Sequence, residues 1–104
     1  MAGQFSKRIS NTGGSAQRLS TVLAAAGYTD SYIGVELALR VPTSVAASMF
    51  VGGSTVNAST GQEIGSGESY TWNSTGVYGD VVDVAQMYLF TTITQNFDVT
   101  FRGK

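Results

Sequence analysis

One segment of the chain alternates in the way that a β-strand requires. From Ile33 to Val41 every second residue is apolar, and glycine, glutamate, alanine and arginine fill the positions between. Successive side chains of a strand point to opposite faces, so this segment predicts a strand with one buried face. The only proline, Pro42, follows directly and ends the strand, because it cannot donate a backbone hydrogen bond.

Shorter segments repeat this pattern. Further strands are predicted at residues 45–51, around Ile64, at 69–72, at 87–93 and at 97–102, with a brief extended piece at Val56 and a loop at 73–79. Turn residues separate these strands, and Thr94–Asn96 is a predicted hairpin connection. No helix alternates with them as in a parallel α/β fold. We therefore predict an all-β fold, a small antiparallel β-sandwich or barrel of five or six strands or more.

The N-terminal part of the chain differs from the rest. After the initial methionine, residues 1–14 have Phe5 and Ile9 as their large apolar groups. We predict an extended, disordered N-terminal arm there, ahead of a single β domain at residues 15–104. Residues 16–26 have apolar side chains at helical spacing, between Ser15 as a candidate N-cap and Gly27 as a candidate terminator. They predict one short helix, with an extra strand as the alternative.

The residue types present exclude several kinds of catalytic site. The 104 residues include no cysteine and no histidine, which removes disulfides, thiolate and imidazole metal ligands, and the common hydrolase triads. Carboxylate pairs remain at Asp80 and Asp83 and at Glu63 and Glu68, and we interpret them as solvated turn residues. We therefore expect no enzyme activity, no cofactor and no metal site.

Charge is sparse and unevenly placed. Charged residues make up 12% of the chain and the net charge is −1, so nothing points to a nucleic acid or an anionic membrane as partner. Lys7, Arg8 and Arg18 precede the first acidic residue. We predict that the arm binds a partner protein, with Phe5 and Ile9 in apolar pockets and these three cations facing acidic groups. The alternative is that the three charges only keep a short tail solvated.

No segment is apolar enough for a membrane span or a secretion signal. The longest apolar stretch, Val22–Ala26, has five residues, whereas a bilayer span needs about 20. The N-terminal residues also have no run like the core of a signal peptide. We therefore expect a protein of the cytoplasm in which it is made, without a membrane partner.

Aromatic residues raise an alternative function. Tyr70, Trp72 and Tyr78 offer stacking surfaces for a sugar, as in a small carbohydrate-binding module. No basic residue lies between Arg40 and Arg102, which argues against single-stranded nucleic acid as the ligand. Aromatic side chains also fill cores and subunit interfaces, and this role remains open for the same residues.

The order of the glycine turns resembles that of a known class of proteins. The matching segments are Val51-Gly52-Gly53-Ser54, Val56, Ser59-Thr60-Gly61, Ile64, Gly67-Glu68-Ser69 and Tyr88-Leu89. On these, the last two-thirds of the chain resembles small virion structural proteins of tailed bacteriophages, with the capsid decoration (cement) type fitting best.

The resemblance implies a structural protein of the virion rather than an enzyme. It implies the major capsid protein or another virion protein as partner and a location on the capsid surface after assembly in the host cytoplasm. The expected state is a homo-oligomer, with a trimer favoured. A tail, fibre or head–tail component is the alternative within this class. The expected partner interface consists of the arm residues and Arg18, that is Phe5, Lys7, Arg8, Ile9 and Arg18.

Overall fold

Strands make up most of the regular structure in residues 4–73 and 82–103, which the computed structural model describes. In chain order the elements are β1 (Gln4–Asn11), β2 (Gln17–Arg18), α1 (Leu19–Ala25), β3 (Ile33–Arg40), β4 (Met49–Gly52), β5 (Gln62–Ile64), β6 (Ser69–Asn73), β7 (Val82–Asp83), a 3-10 helix (Val84–Gln86), β8 (Tyr88–Thr91) and β9 (Gln95–Gly103). All strand pairings in these ranges are antiparallel. The predicted all-β fold is confirmed.

Two sheets enclose one core. Sheet A has the strand order β1–β9–β3–β6, with β7 also beside β3, and sheet B has the order β2–β8–β4–β5. The largest fully buried side chains come from both sheets and from α1, and they include Leu19, Leu23, Leu37, Leu39, Met49, Ile64, Leu89, Phe97 and Phe101. The described residues therefore form a small antiparallel β-sandwich with one short α-helix.

The N-terminal strand belongs to the domain. All eight residues of β1 are in register with β9. Phe5 and Ile9 pack against the core, and Asn11 is fully buried. The alternation is masked in the sequence because Lys7 and Asn11 occupy inward positions where an apolar residue is expected. The prediction that residues 1–14 form a disordered arm outside the domain is therefore wrong for β1.

A β-bulge divides β3. Its pairing with β9 shifts register between Gly34 and Glu36, so the side chains change face at this point. Leu37 and Leu39, beyond the bulge, have no exposed surface, whereas Ile33 before it is 42% exposed. The predicted buried face is confirmed at the two leucines and wrong at Ile33, because periodicity alone does not reveal a bulge.

Gly34 lies in close contact with the neighbouring strand. A Cβ atom here would lie 2.5 Å from both the carbonyl oxygen of Arg102 and the ring of Phe101. We expect Gly34→Ala to lower the free energy of unfolding by about 1–3 kcal/mol, because the neighbours must move. Gly53→Ala is the control, since a Cβ there meets nothing within 4 Å. Urea unfolding measures both variants, and equal losses would contradict the close approach.

The short helix is confirmed, but it begins later than its cap signal predicts. Because β2 pairs with β8, the residues before α1 are held extended. Arg18 is the N-cap and makes no side-chain capping bond, so the prediction of Ser15 as the cap is wrong. Gly27 has φ +105°, and its amide and the next one donate to carbonyls of the last turn. This Schellman motif ends the helix where the glycine predicts.

The connection from β8 to β9 crosses between the sheets. β8 lies in sheet B and β9 in sheet A, so the predicted hairpin at Thr94–Asn96 is wrong. The strand predicted at residues 87–93 ends at Thr91, and Ile93 is 56% exposed in the corner. Local alternation gives the faces of a strand but not its partners, which tertiary packing decides.

Two other predicted strand segments are shorter or absent. The strand predicted at residues 45–51 covers only Met49–Gly52, because a turn in which the Val45 amide donates to the Pro42 carbonyl precedes it. Val56 belongs to no strand, although its side chain is buried. From position 74 onward, the loop predicted at 73–79 lies outside the described residues.

Candidate interaction surface

One face of sheet A points away from sheet B and is polar. Because Leu37 and Leu39 point inward, the residues that alternate with them and their cross-strand partners point outward. We call this surface the outer face. It consists of Gln4, Ser6, Arg8, Ser10, Glu36, Ala38, Arg40, Ser69, Thr71, Asn73, Asn96, Asp98, Thr100 and Arg102. Most of these side chains are short hydroxyls and amides.

Cross-strand register arranges the outer face in rows. One row runs from β1 to β6 through Ser6, Thr100, Ala38 and Thr71. The Ser6 Oγ donates a hydrogen bond to the Thr100 Oγ1 at 3.2 Å. Because these side chains are small, the row has little relief and suits a flat partner surface.

The neighbouring row contains a charge cluster across three strands. Arg8 donates from Nε to Asp98 Oδ1 at 2.7 Å and from Nη2 to Oδ2 at 3.2 Å. Arg40 donates from Nη1 to Asp98 Oδ2 at 3.4 Å. The Arg8 hydrogen bond holds the pKa of Asp98 below its usual value against the opposing effect of burial, and Asp98 raises the pKa of Arg8. The cluster therefore stays charged and has a net charge of +1.

The lowered pKa of Asp98 predicts a loss of stability in acid. A carboxyl with a depressed folded-state pKa stabilises the protein above its unfolded pKa of about 3.9, and this contribution is lost as the pH falls through the folded pKa. We expect the free energy of unfolding to fall below about pH 4, and less steeply in Asp98→Asn. Urea unfolding across the acid range measures this, and identical acid limbs for the two proteins would contradict it.

The five residues predicted to form a partner interface do not share one surface. Arg8 lies on the outer face, whereas Phe5 and Ile9 point inward from the same strand and pack against the core. The two apolar residues are therefore already used by the fold. They therefore do not lie on a free arm, and their predicted contact with a partner stays a prediction.

The other two cations of that set are engaged within the domain. Lys7 also points inward, and its Nζ donates to the carbonyl oxygen of Ala26 at 2.8 Å, at the C-terminal end of α1. Arg18 lies in sheet B, where its Nε and Nη2 donate to the Tyr88 Oη at 2.9 and 2.6 Å. Of the predicted set, only Arg8 lies on the candidate surface.

Sequence reasoning missed most of the outer face. Arg40, Asp98 and Thr100 lie in strands whose alternation points to the buried residues between them. The same alternation also identifies the residues of the outer face, but only once the strands are known to pair in one sheet. That pairing spans nearly the whole chain, since β1 and β9 are its first and last strands.

The residues of the two predicted carboxylate pairs lie in different parts of the structure. Asp83 Oδ1 accepts from the Ala85 amide at 3.0 Å and caps the 3-10 helix, and Asp80 lies outside the described residues. Glu63 and Glu68 line a groove between β5 and β6. In residues 4–73 and 82–103, no three groups of the metal-ligating types come together.

The aromatic residues divide between the sheets. Tyr70 and Trp72 lie on β6 with ring centroids 5.2 Å apart, whereas Tyr88 and Phe90 lie on β8 in sheet B. Tyr78 lies outside the described residues. Of the three residues in the predicted stacking surface, Tyr70 and Trp72 are therefore neighbours on one strand, and their binding of a sugar stays a prediction.

Comparison of the chain with protein-family models, curated proteins and solved structures finds no match. Within the part of the chain that the structure describes, no helix is both long and apolar enough to cross a bilayer.

Proposed function

We propose that this chain is a capsid decoration protein of a bacteriophage particle, which binds the major capsid protein and stabilises the shell. The resemblance in the order of the glycine turns supports the class. The observation that carries the proposal is the outer face, in which a row of short side chains from Ser6 to Thr71 lies beside a fixed charge cluster. Short side chains lose little entropy on binding, and paired charges favour a partner of complementary pattern. The role requires no enzyme chemistry.

The outer face of sheet A fits attachment to a capsid better than the open edge of β1 does. In the described ranges β1 pairs only with β9, so its other side is an edge. Lys7 lies on the core-side face of this edge strand with its side chain exposed, and a charge in this position discourages the addition of another strand. We infer that the shell contacts the outer face rather than extending the sheet.

The size of the outer face favours an oligomer. Four strands about 4.8 Å apart, with outward-facing segments of five to seven residues, span an area of roughly 300–450 Å². A stable interface buries about 800 Å² on each partner. Several copies that bind together gain affinity through multivalency. We therefore propose that the protein binds as a homo-oligomer, a trimer, on the capsid surface after assembly in the host cytoplasm.

Co-sedimentation with undecorated shells tests the proposal. The double variant Ser6→Glu/Thr71→Glu alters two exposed positions of the outer face, and Ser54→Glu/Thr55→Glu makes the same change in the exposed turn after β4. We expect the wild type and the turn variant to bind alike. The face variant should bind at least about tenfold more weakly, a loss of about 1.4 kcal/mol.

Other results of the co-sedimentation experiment would contradict the proposal in different ways. Equal binding of both variants would show that another surface makes the contact. Wild-type protein that binds purified tails but not shells would replace the proposal with a tail, fibre or head–tail component. Binding to neither would overturn a virion role.

A further inference from the structure

A groove opens between the two sheets on the side away from β1. It lies between β5, an edge of sheet B, and β6, an edge of sheet A, and has a volume of about 400 Å³. Its lining consists of Gln62, Glu63, Ile64, Glu68, Ser69 and Tyr70. Sites for small molecules are typically clefts of roughly 300–1,000 Å³. The groove is therefore large enough for a small organic ligand.

One wall of the groove is an exposed aromatic ring. Tyr70 is 42% exposed, although its neighbours in the same row, Leu39 and Val99, are buried. Trp72 packs against the core and lies 5.2 Å from the Tyr70 ring at an interplanar angle of 38°. Tyr70 thus offers a ring that a ligand can stack on, next to a tryptophan fixed by the core.

Two carboxylates border the groove and are held in place by hydrogen bonds: Glu68 directly before β6, and Glu63 on the face of β5 that points away from the core, opposite Phe50. Glu63 Oε2 accepts from the Ser48 Oγ at 2.6 Å, and Glu68 Oε1 accepts from the Gly65 amide at 2.6 Å. Each carboxylate has a second oxygen as a further acceptor. Among the described residues, the ion pairs formed all involve Asp98 and neither of these two groups. The groove therefore combines fixed acceptors with negative charge.

We propose that this groove binds an uncharged sugar residue of a glycan, an activity beyond shell attachment. The apolar face of a pyranose stacks on Tyr70, and its hydroxyls donate to the Glu68 carboxylate and to the Gln62 side chain. A carboxylated or sulfated sugar is excluded because Glu63 and Glu68 repel it. Tyr70 lies on the inward side of β6, so the stacking ring is not part of the outer face, although Ser69 belongs to both surfaces.

Tryptophan fluorescence of the full-length protein tests the site without any particle. Trp72 is the single tryptophan of the chain, so a ligand on Tyr70 changes the only indole signal. We expect a saturable change with uncharged gluco-, manno- or galacto-trisaccharides and a much weaker response to trigalacturonate. Tyr70→Ala should weaken binding at least about tenfold, as loss of a stacking ring does elsewhere, whereas Tyr70→Phe should retain it.

Ile33→Ala, at another exposed apolar residue, is the matched control and should bind like the wild type. The proposal is overturned if no uncharged sugar binds, if trigalacturonate binds equally well, or if Tyr70→Ala binds unchanged. A response to calcium alone, without any sugar response, would identify a cation site instead. None of these outcomes depends on attachment to shells. Failure of the sugar-binding proposal would therefore leave the capsid-decoration proposal unaffected, and the reverse also holds.

Discussion

Deletion of residues 2–11 should leave the chain largely unfolded at room temperature. The deletion removes β1, all eight residues of which pair with β9, together with the inward side chains of Phe5 and Ile9. Loss of one large core side chain costs about 2–5 kcal/mol, and a domain of this size has a total stability of about 5–15 kcal/mol. Far-ultraviolet circular dichroism and thermal unfolding of the truncated protein measure the effect.

Two point variants on β1 make this test independent of chain length. Phe5 contacts the Tyr28 ring edge-on, with centroids 5.3 Å apart, whereas the next residue, Ser6, faces outward. Phe5→Ala should lower the melting temperature clearly, and Ser6→Ala should change it little. If the truncated protein melted with the full chain, β1 would be a disordered arm, as its sequence alone predicts.

Leu37→Ala should lower the free energy of unfolding by about 2–5 kcal/mol. Leu37 has no exposed surface and lies in one inward row with Phe5, Phe101 and Trp72. The neighbours come from three other strands and cannot all move into the cavity. In a domain of about 100 residues each kcal/mol lowers the melting temperature by about 4–8 °C, so calorimetry measures the loss directly.

Glu36→Ala is the matched control for this prediction. Glu36 precedes Leu37 and lies on the outer face, so its removal from the isolated protein should change stability by no more than about 0.5 kcal/mol. Equal losses from the two variants would mean that β3 is buried on both faces, or that the strand lies in a different register.

The fold class follows from sequence wherever the alternation is uninterrupted. The inward positions of Leu37, Leu39, Phe97 and Phe101 obey the pattern, and burial confirms them. β1 does not follow the pattern, because Lys7 occupies one of its core-side positions. The Nζ of Lys7 donates to the carbonyl oxygen of Ala26 at the end of α1, a contact that the local sequence does not reveal. The bulge in β3 and the sheet-crossing corner after β8 also depend on partners that a local pattern does not specify.

The candidate surface was only partly predictable, for the same reason. Arg8 stands out as a cation in the sequence, but its partner Asp98 lies 90 positions away and is paired only when the first and last strands meet. The pairing of Tyr70 and Trp72 is local and could be predicted from their spacing of two on one strand. Their placement beside Glu63 requires the two sheet edges to be known.

The two proposed surfaces do not compete. Tyr70 and Thr71 are successive residues of β6, so their side chains point to opposite faces of sheet A. Attachment through the outer face therefore leaves the Tyr70 ring uncovered, although Ser69 borders both surfaces. If both proposals hold, a particle coated in this way would display the groove to uncharged glycans.

Electron cryo-microscopy of undecorated bacteriophage shells mixed with the purified protein tests the central proposal most directly. We expect added density at regular positions on the capsid surface, grouped as a small oligomer, with the outer face of sheet A against the major capsid protein. Shells without added density, or density in which that face points to solvent, would contradict it.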